Sequence, residues 1–273
     1  MLQRTFCHLS GISASRERQL WQAGIVDWTG LAAGDGGKPL LAEQLEESHR
    51  RLAAGDAGYF SDRLPAREHW RLLPEFPDST AYLDIETTGL SRGRDSITSI
   101  ALYNGRQVQT FVQGENLDSF PAAIAPYRLL VSYNGKSFDI PFIEQAFGIR
   151  LDQAHVDLRY PLHSLGLRGG LKGCERQLGI ARQELAGIDG YFAVLLWREY
   201  CRSGDPLARQ TLLAYNVADT VNLAALAVHA YNRKLAETPF AAGACLPLPA
   251  APALPYRVET EQVLNLRRRL CGW

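Results

Sequence analysis

The chain has 273 residues, 46% hydrophobic, 10% aromatic and 21% charged, which supports a buried core and excludes a disordered chain or a staple-dependent mini-protein. That length leaves room for one full domain with an appendage, or for two small domains. Lysines and arginines number 29 against 29 aspartates and glutamates, so no global basic field marks the chain for nucleic acid or anionic membrane. A polyanion would have to be met by a local patch or by bound metal. The first residues lack the apolar stretch of a signal peptide, and no later run approaches the ~18 apolar residues of a spanning segment, so a cytoplasmic location is expected. Five scattered cysteines without a C-x-x-C pair argue against a disulfide framework or a zinc knuckle and read as reduced thiols.

Residues 1–78 read as an N-terminal helical region, with Leu41, Leu45 and Leu52 recurring at near-helical spacing and no strand-like alternation. Gly11-Ile12 lies between two helix-like segments and suggests a helix-hairpin-helix, although Ser13 stands where a second hairpin glycine is expected. Trp21 and Trp28 read as the core of this region. Residues 79–235 mix strands and helices. TAYLDIE is an apolar run ending in acids, followed by the turn-like TTGLSRG. SITSIALY and RQVQTFVQG alternate as strands do and flank Asn104-Gly105, a strong hairpin signal. RLLVSYNG predicts a buried strand, SFDIPFIEQAFG a helix with Pro141 in its first turn, and AHVDL a short strand. Helices follow in LKGCERQLG, in GYFAVLLWREYCRSG and from Pro206 to about Leu235, the last opened by Asp205-Pro206 as cap and first-turn proline. The predicted fold is therefore α/β, a mixed five-stranded sheet whose first three strands are antiparallel, flanked by helices. Residues 236–273 read as a Pro/Ala-rich linker and a C-terminal tail carrying Arg267, Arg268 and Arg269, either docked or solvated.

Three places carry chemistry. Asp84 and Glu86, two apart at the end of the first strand, point to one face, where their mutual repulsion favours a divalent cation unless the strand end is simply exposed. Asp139 falls in the first turn of a helix, a position the helix dipole alone would explain. Tyr215 and Asp219, at i and i+4, share one face of the last long helix, and Asp219 is flanked by Leu212, Leu213, Val217, Val221, Leu223 and Leu226. A carboxylate among such neighbours wants a partner.

Taken in order, the DIETTGL run, the YNGKSFD segment and the Y-x-x-x-D helix resemble the three exonuclease motifs of the DEDD superfamily, on a ribonuclease H-like fold. More narrowly they resemble the YprB-like predicted exonucleases of bacteria, a likeness extended by LKGCERQLGIAR, YNVADTVNL and HLSGIS…RQLWQAGIVDW. The resemblance implies that Asp84, Glu86, Asp139 and Asp219 bind two Mg²⁺ or Mn²⁺ ions and that Tyr215 orients the attacking water. Ala214 occupies the place of the histidine in the histidine variant, so the tyrosine subtype is indicated. The function implied is 3′→5′ exonuclease hydrolysis of phosphodiester bonds at single-stranded DNA or RNA ends. The same acids would serve a structure-specific endonuclease, and a non-catalytic nucleic-acid-binding module is the remaining alternative.

Thr87, Thr88 and Leu90 are implied to hold the 3′ end, while Asn134 and Phe138, beside Asp139, are candidate contacts to the terminal nucleotide. Arg150, Arg159, Arg168, Lys172, Arg176 and Arg182 outnumber Asp152, Asp157 and Glu175 in their stretch and suggest a phosphate track, with solvated surface as the alternative. His155 and Asp157 read as supports behind the site.

Overall fold

A computed structural model describes residues 1–34, 39–180, 189–250 and 252–271. The centre of the molecule is a five-stranded sheet, β1 (Thr80–Thr87), β2 (Ile97–Tyr103), β3 (Val108–Val112), β4 (Leu129–Ser132) and β5 (Ala154–Asp157). Its spatial order is β3-β2-β1-β4-β5. β1, β2 and β3 pair antiparallel, as the sequence predicts, while β4 and β5 run parallel to β1 and complete a mixed sheet. The β2–β3 hairpin closes where expected: the Asn104 carboxamide oxygen accepts from the Arg106 and Gln107 amides at 3.0 and 2.8 Å, and Gly105 takes the positive φ of 87°.

Strand periodicity decides what each face meets. Ala81, Leu83 and Ile85 of β1 pack with Phe142 and Ile143 of α6 (Asp139–Phe147) and with Phe120 and Ile124 of α5 (Phe120–Ile124). Tyr82, Asp84 and Glu86 therefore lie on the opposite face, against which the 31-residue helix α10 (Pro206–Ala236) packs. Asp205 caps α10 by accepting from the Leu207 amide at 2.9 Å, with Pro206 in the first turn. An 18-residue window of α10 reaches a mean hydropathy of 1.3, so it meets the length and apolarity of a spanning helix, contrary to the sequence reading. Of that window 78% is buried inside the protein, which accounts for its apolarity as core.

Helices α1 (Ala14–Gln22), α2 (Trp28–Gly34), α3 (Pro39–Ala53) and α4 (Ala57–Arg63) form the N-terminal region and share one apolar core with β4, β5 and the C-terminal half of α10. Trp70 meets Tyr231 of α10 edge-on at 5.5 Å. Trp21 and Trp28 are buried, their indole N–H groups donating to the Arg4 and Thr5 carbonyls at 3.0 and 2.7 Å. The buried Arg71 guanidinium bridges Glu17 at 2.7 Å and Glu68 at 2.9 Å, so this core contains a closed charge network. The helix-hairpin-helix expectation is corrected at its first half: only a 3-10 turn, Leu2–Arg4, precedes Gly11. Ser13 caps α1 instead of serving as a hairpin residue, accepting from the Arg16 amide at 3.2 Å.

Beyond β5 come α7 (Arg159–Ser164), α8 (Gly170–Leu178) and α9 (Gly190–Ser203). The C-terminal segment is more than a linker with a solvated end. Thr260–Cys271 form α11, which buries Val263 and Leu266 against α9 and the start of α10. Arg269 pairs with Asp205 and stands 3.8 Å from Glu199, whereas Arg267 and Arg268 are exposed.

Candidate active site

The sequence-predicted acids converge. One carboxylate oxygen each of Asp84, Glu86 and Asp219 lie within 4.8 Å of one another, the one group among the described residues with metal-holding geometry. Asp84 and Glu86 meet because they share the α10-facing side of β1, and Asp219 meets them because α10 crosses that side. Asp139 joins from α6, 4% exposed, with Oδ1 accepting from the Ile85 amide at 3.2 Å. It stands beside the trio, outside the 4.8 Å group. All four acids, and Tyr215, line a cleft of about 890 Å³ at the C-terminal ends of β1 and β4.

Such crowding has an electrostatic cost. Burial and then the charges of Asp219, Asp139 and Glu86 push the Asp84 carboxyl well above the ordinary range. Glu86 is pushed well up by burial and by Asp219, with Lys172 opposing. Burial raises Asp139 to about 7 against the pull of its backbone hydrogen bonds. Groups in this condition fit divalent cations: the donors are hard carboxylate oxygens, and positive charge would relieve the repulsion that raises their proton affinity.

Lys172 of α8 sits over the Tyr215 ring, Nζ 4.4 Å from its centroid, so one ammonium holds the phenol and faces Glu86. Asn216 is a residue that sequence reasoning missed. Fully buried, it donates from Nδ2 to Asp84 Oδ2 at 2.7 Å and to the Asp84 carbonyl at 3.2 Å, while its Oδ1 accepts from Ser99 Oγ at 3.0 Å. It thereby fixes the Asp84 rotamer from α10. A signal was present, a carboxamide buried in an apolar helix next to Tyr215, where a polar side chain requires a partner. Asn216→Ala is expected to lower activity about 10–100-fold, as losses of supports behind metal ligands do, without removing any acid. Unchanged kcat/KM in a folded Asn216→Ala protein would contradict that role.

Thr87, Thr88, Leu90, Asn134 and Phe138 all line the cleft. Asp95 organises the turn after β1, accepting from Thr88 Oγ1 at 3.2 Å and the Ser91 amide at 2.8 Å. Gly89 leaves room for it, since a Cβ there would meet the Asp95 carboxylate at 2.7 Å and displace it. The turn leaves Leu90 86% exposed. Phe138 is half-buried and packs on Phe142 at 5.3 Å, so it serves core and cleft together. Asn134 holds the left-handed φ of 64°, stabilised because its amide donates to Asp157 Oδ1 at 2.7 Å. Asp157 also accepts from the Lys136 and Arg159 amides at 3.1 and 3.0 Å, so it shapes the loop as a support. His155 is buried away from the cleft, hydrogen-bonded to Ser132 Oγ at 2.8 Å, and burial lowers it to about 3.

The expected phosphate track is only partly assembled. Arg159 lines the cleft and Lys172 borders it, but Arg150 borders a different depression beside Arg128 and Gly55, at the opposite end of the sheet. Sequence proximity failed there because Arg150 precedes β5 whereas Arg159 follows it. Arg182 lies outside the described residues. His163, Tyr191 and Arg198, which also line the cleft, were not anticipated as site residues.

The family model described as the RNase_H superfamily matches residues 81–231. The chain belongs to the ribonuclease H superfamily. That match spans all five strands and most of α10, so every acid of the cleft falls within it. No curated protein matches the chain. Among solved structures, a family B DNA polymerase from the hyperthermophilic archaeon Pyrobaculum calidifontis is 19% identical with a TM-score of 0.43, over 57% of this chain. The match spans 24% of that polymerase, less than two thirds of its length. A nuclease in its apo form is 20% identical with a TM-score of 0.43, over 58% of this chain and 74% of that one. Brucella melitensis NrnC with bound Mg²⁺ is 18% identical with a TM-score of 0.41, over 60% of this chain and 77% of that one.

Proposed function

We propose that this ribonuclease H superfamily chain is a nuclease of the tyrosine-subtype DEDD group, YprB-like, which removes nucleotides from the 3′ ends of single-stranded nucleic acid. The observation that carries the reading is the meeting of Asp84, Glu86 and Asp219, with Asp139 alongside, in one cleft. Those four acids would hold two divalent ions, Mg²⁺ or Mn²⁺. When bound, the ions supply the positive charge that activates water and stabilises the leaving 3′ oxygen. Asn216 holds Asp84 in one orientation before any substrate arrives. Tyr215, 4% exposed and lining the cleft, would accept and donate one hydrogen bond and so align the attacking water. Leu90 and the Thr87–Thr88 backbone border the place for the terminal nucleotide, with Asn134 and Phe138 on the β4 side.

A single-stranded oligonucleotide labelled at its 5′ end should shorten progressively from the 3′ end in Mg²⁺ or Mn²⁺, and a circular strand should resist. Cleavage of the circle would move the assignment to an endonuclease. Tyr215→Phe retains the ring under Lys172 and loses only the hydroxyl, so a measurable remainder of activity is expected, about 1% to 10% of the parent, the size of one orienting contact. Activity equal to the parent would remove Tyr215 from the mechanism.

A further inference from the structure

Part of the cleft wall is built by α9, and nothing in the acid chemistry requires what stands on it. Tyr191, Val194 and Arg198 line the cleft at i, i+3 and i+7, a single face of the helix. Below that face α9 is fixed: Asp189 caps it, accepting from the Phe192 amide at 2.9 Å, and Phe192, Leu196 and Trp197 are buried. α11 packs against it from outside. Tyr191 is nonetheless 68% exposed, a large aromatic ring on a rigid helix inside the cleft. Arg198 is also exposed, and no carboxylate among the described residues pairs with it. Along the axis the two are about 10 Å apart, at 1.5 Å per residue.

We propose that this face of α9 is a ledge for the single strand behind its 3′ end, on which the Tyr191 ring stacks against an unpaired base and Arg198 meets a backbone phosphate. The inference rests on the nuclease reading for its ligand and adds what decides strandedness. Stacking on a protein ring needs a base whose face is free, which a single strand offers and the interior of a duplex does not. Every base has such a face, so the ledge reads strandedness and tolerates any sequence. Arg198 supplies a charge contact in a chain with no net positive charge. Leu90, on the turn after β1, gives the same cleft a second exposed apolar group, so an unpaired strand finds apolar contacts from two elements.

Binding of labelled single-stranded DNA and RNA oligonucleotides and of a blunt duplex, read by fluorescence anisotropy in Ca²⁺, tests this in the full-length protein. Tyr191→Ala should raise the single-strand Kd about tenfold or more, and Tyr191→Trp should restore it. Tyr160→Ala, at an exposed tyrosine outside the cleft, should leave the Kd unchanged. Arg198→Ala should weaken single-strand binding and flatten its salt dependence by about 0.7 in log–log slope, one phosphate contact. Tyr191→Ala binding single strands as the parent does, or losing single strand and duplex equally, overturns the ledge. Failure of the nuclease reading looks different: the parent protein leaves every strand intact in Mg²⁺ and Mn²⁺. Failure of the ledge alone leaves the parent hydrolysing single strands and Tyr191→Ala with an unchanged KM.

Discussion

Asp219→Asn is expected to cost nearly all hydrolysis while making the metal-free protein more stable. Asp219 shares a 4.8 Å neighbourhood with Asp84 and Glu86 and raises the proton affinity of both. Removing its charge at nearly constant shape relieves that repulsion. The activity loss should exceed the 10–100-fold of a supporting residue and reach about a thousandfold, because a ligand is removed and not merely its orientation. The two readouts must move in opposite directions. A thermal melt in EDTA at pH 8 should show Asp219→Asn above the parent, and Mg²⁺ should raise it less than it raises the parent. Asp84→Asn should behave alike, with a smaller stability gain because the Asn216 amide already donates to Asp84. If Asp219→Asn keeps parental activity, the acids are not a cation site and the proposed function falls with them.

How much of this was readable in advance depends on the range of the signal. β1 and its acids were legible because alternation within seven residues puts Asp84 and Glu86 on one face and Ala81, Leu83 and Ile85 on the other, and the structure keeps that division. The hairpin was legible because Asn104 and Gly105 carry their own turn chemistry. α10 was legible in its cap, its length and the shared face of Tyr215 and Asp219. What escaped depends on partners distant in sequence. Asn216 matters through Asp84 and Ser99, 132 and 117 residues away, and the residue itself does not name them. Tyr191 and Arg198 reach the cleft because α9 is pinned by α10 and α11, a packing result that no local pattern states. α11 was missed behind a proline-rich stretch, although Val263, Leu266 and Leu270 at i, i+3 and i+7 carry its apolar stripe. The arginines failed differently: Arg150 and Arg159 are near in sequence, but β5 carries the chain from one end of the sheet to the other between them.

Metal and pH should act on stability through the same acids, and the sign is unusual. Asp139 rises from its ordinary 3.8 to about 7, and Asp84 and Glu86 are raised as well, so between those limits the folded protein holds more protons than the unfolded chain. Stability then falls as pH rises, by about 1.4 kcal/mol per pH unit for each extra proton bound. Asp139 favours the fold fully below about pH 4 and loses that contribution as pH rises through 7, with Asp84 and Glu86 acting in the same direction. Buried His8 and His155 oppose them at lower pH. Both are lowered to about 3, chiefly by burial, so they stabilise the fold above 6.5 and lose that contribution as pH falls towards 3. In the window from about pH 8.5 down to 6.5 the histidines are mostly neutral in both states, so the acids weigh most there. In EDTA the melting temperature should rise as pH is lowered across it. With Mg²⁺ at about 100 times its Kd, stability should increase by about 2.7 kcal/mol, or roughly 5–10 °C. That gain should be largest at pH 8.5, where the carboxylates are already charged and no proton has to leave. Asp139→Asn should remove part of the EDTA slope without reversing it. A melting temperature in EDTA that falls between pH 8.5 and 6.5, or one that Mg²⁺ leaves unmoved at pH 8.5, would mean that the four carboxylates are not strained against one another and have no cation to accommodate.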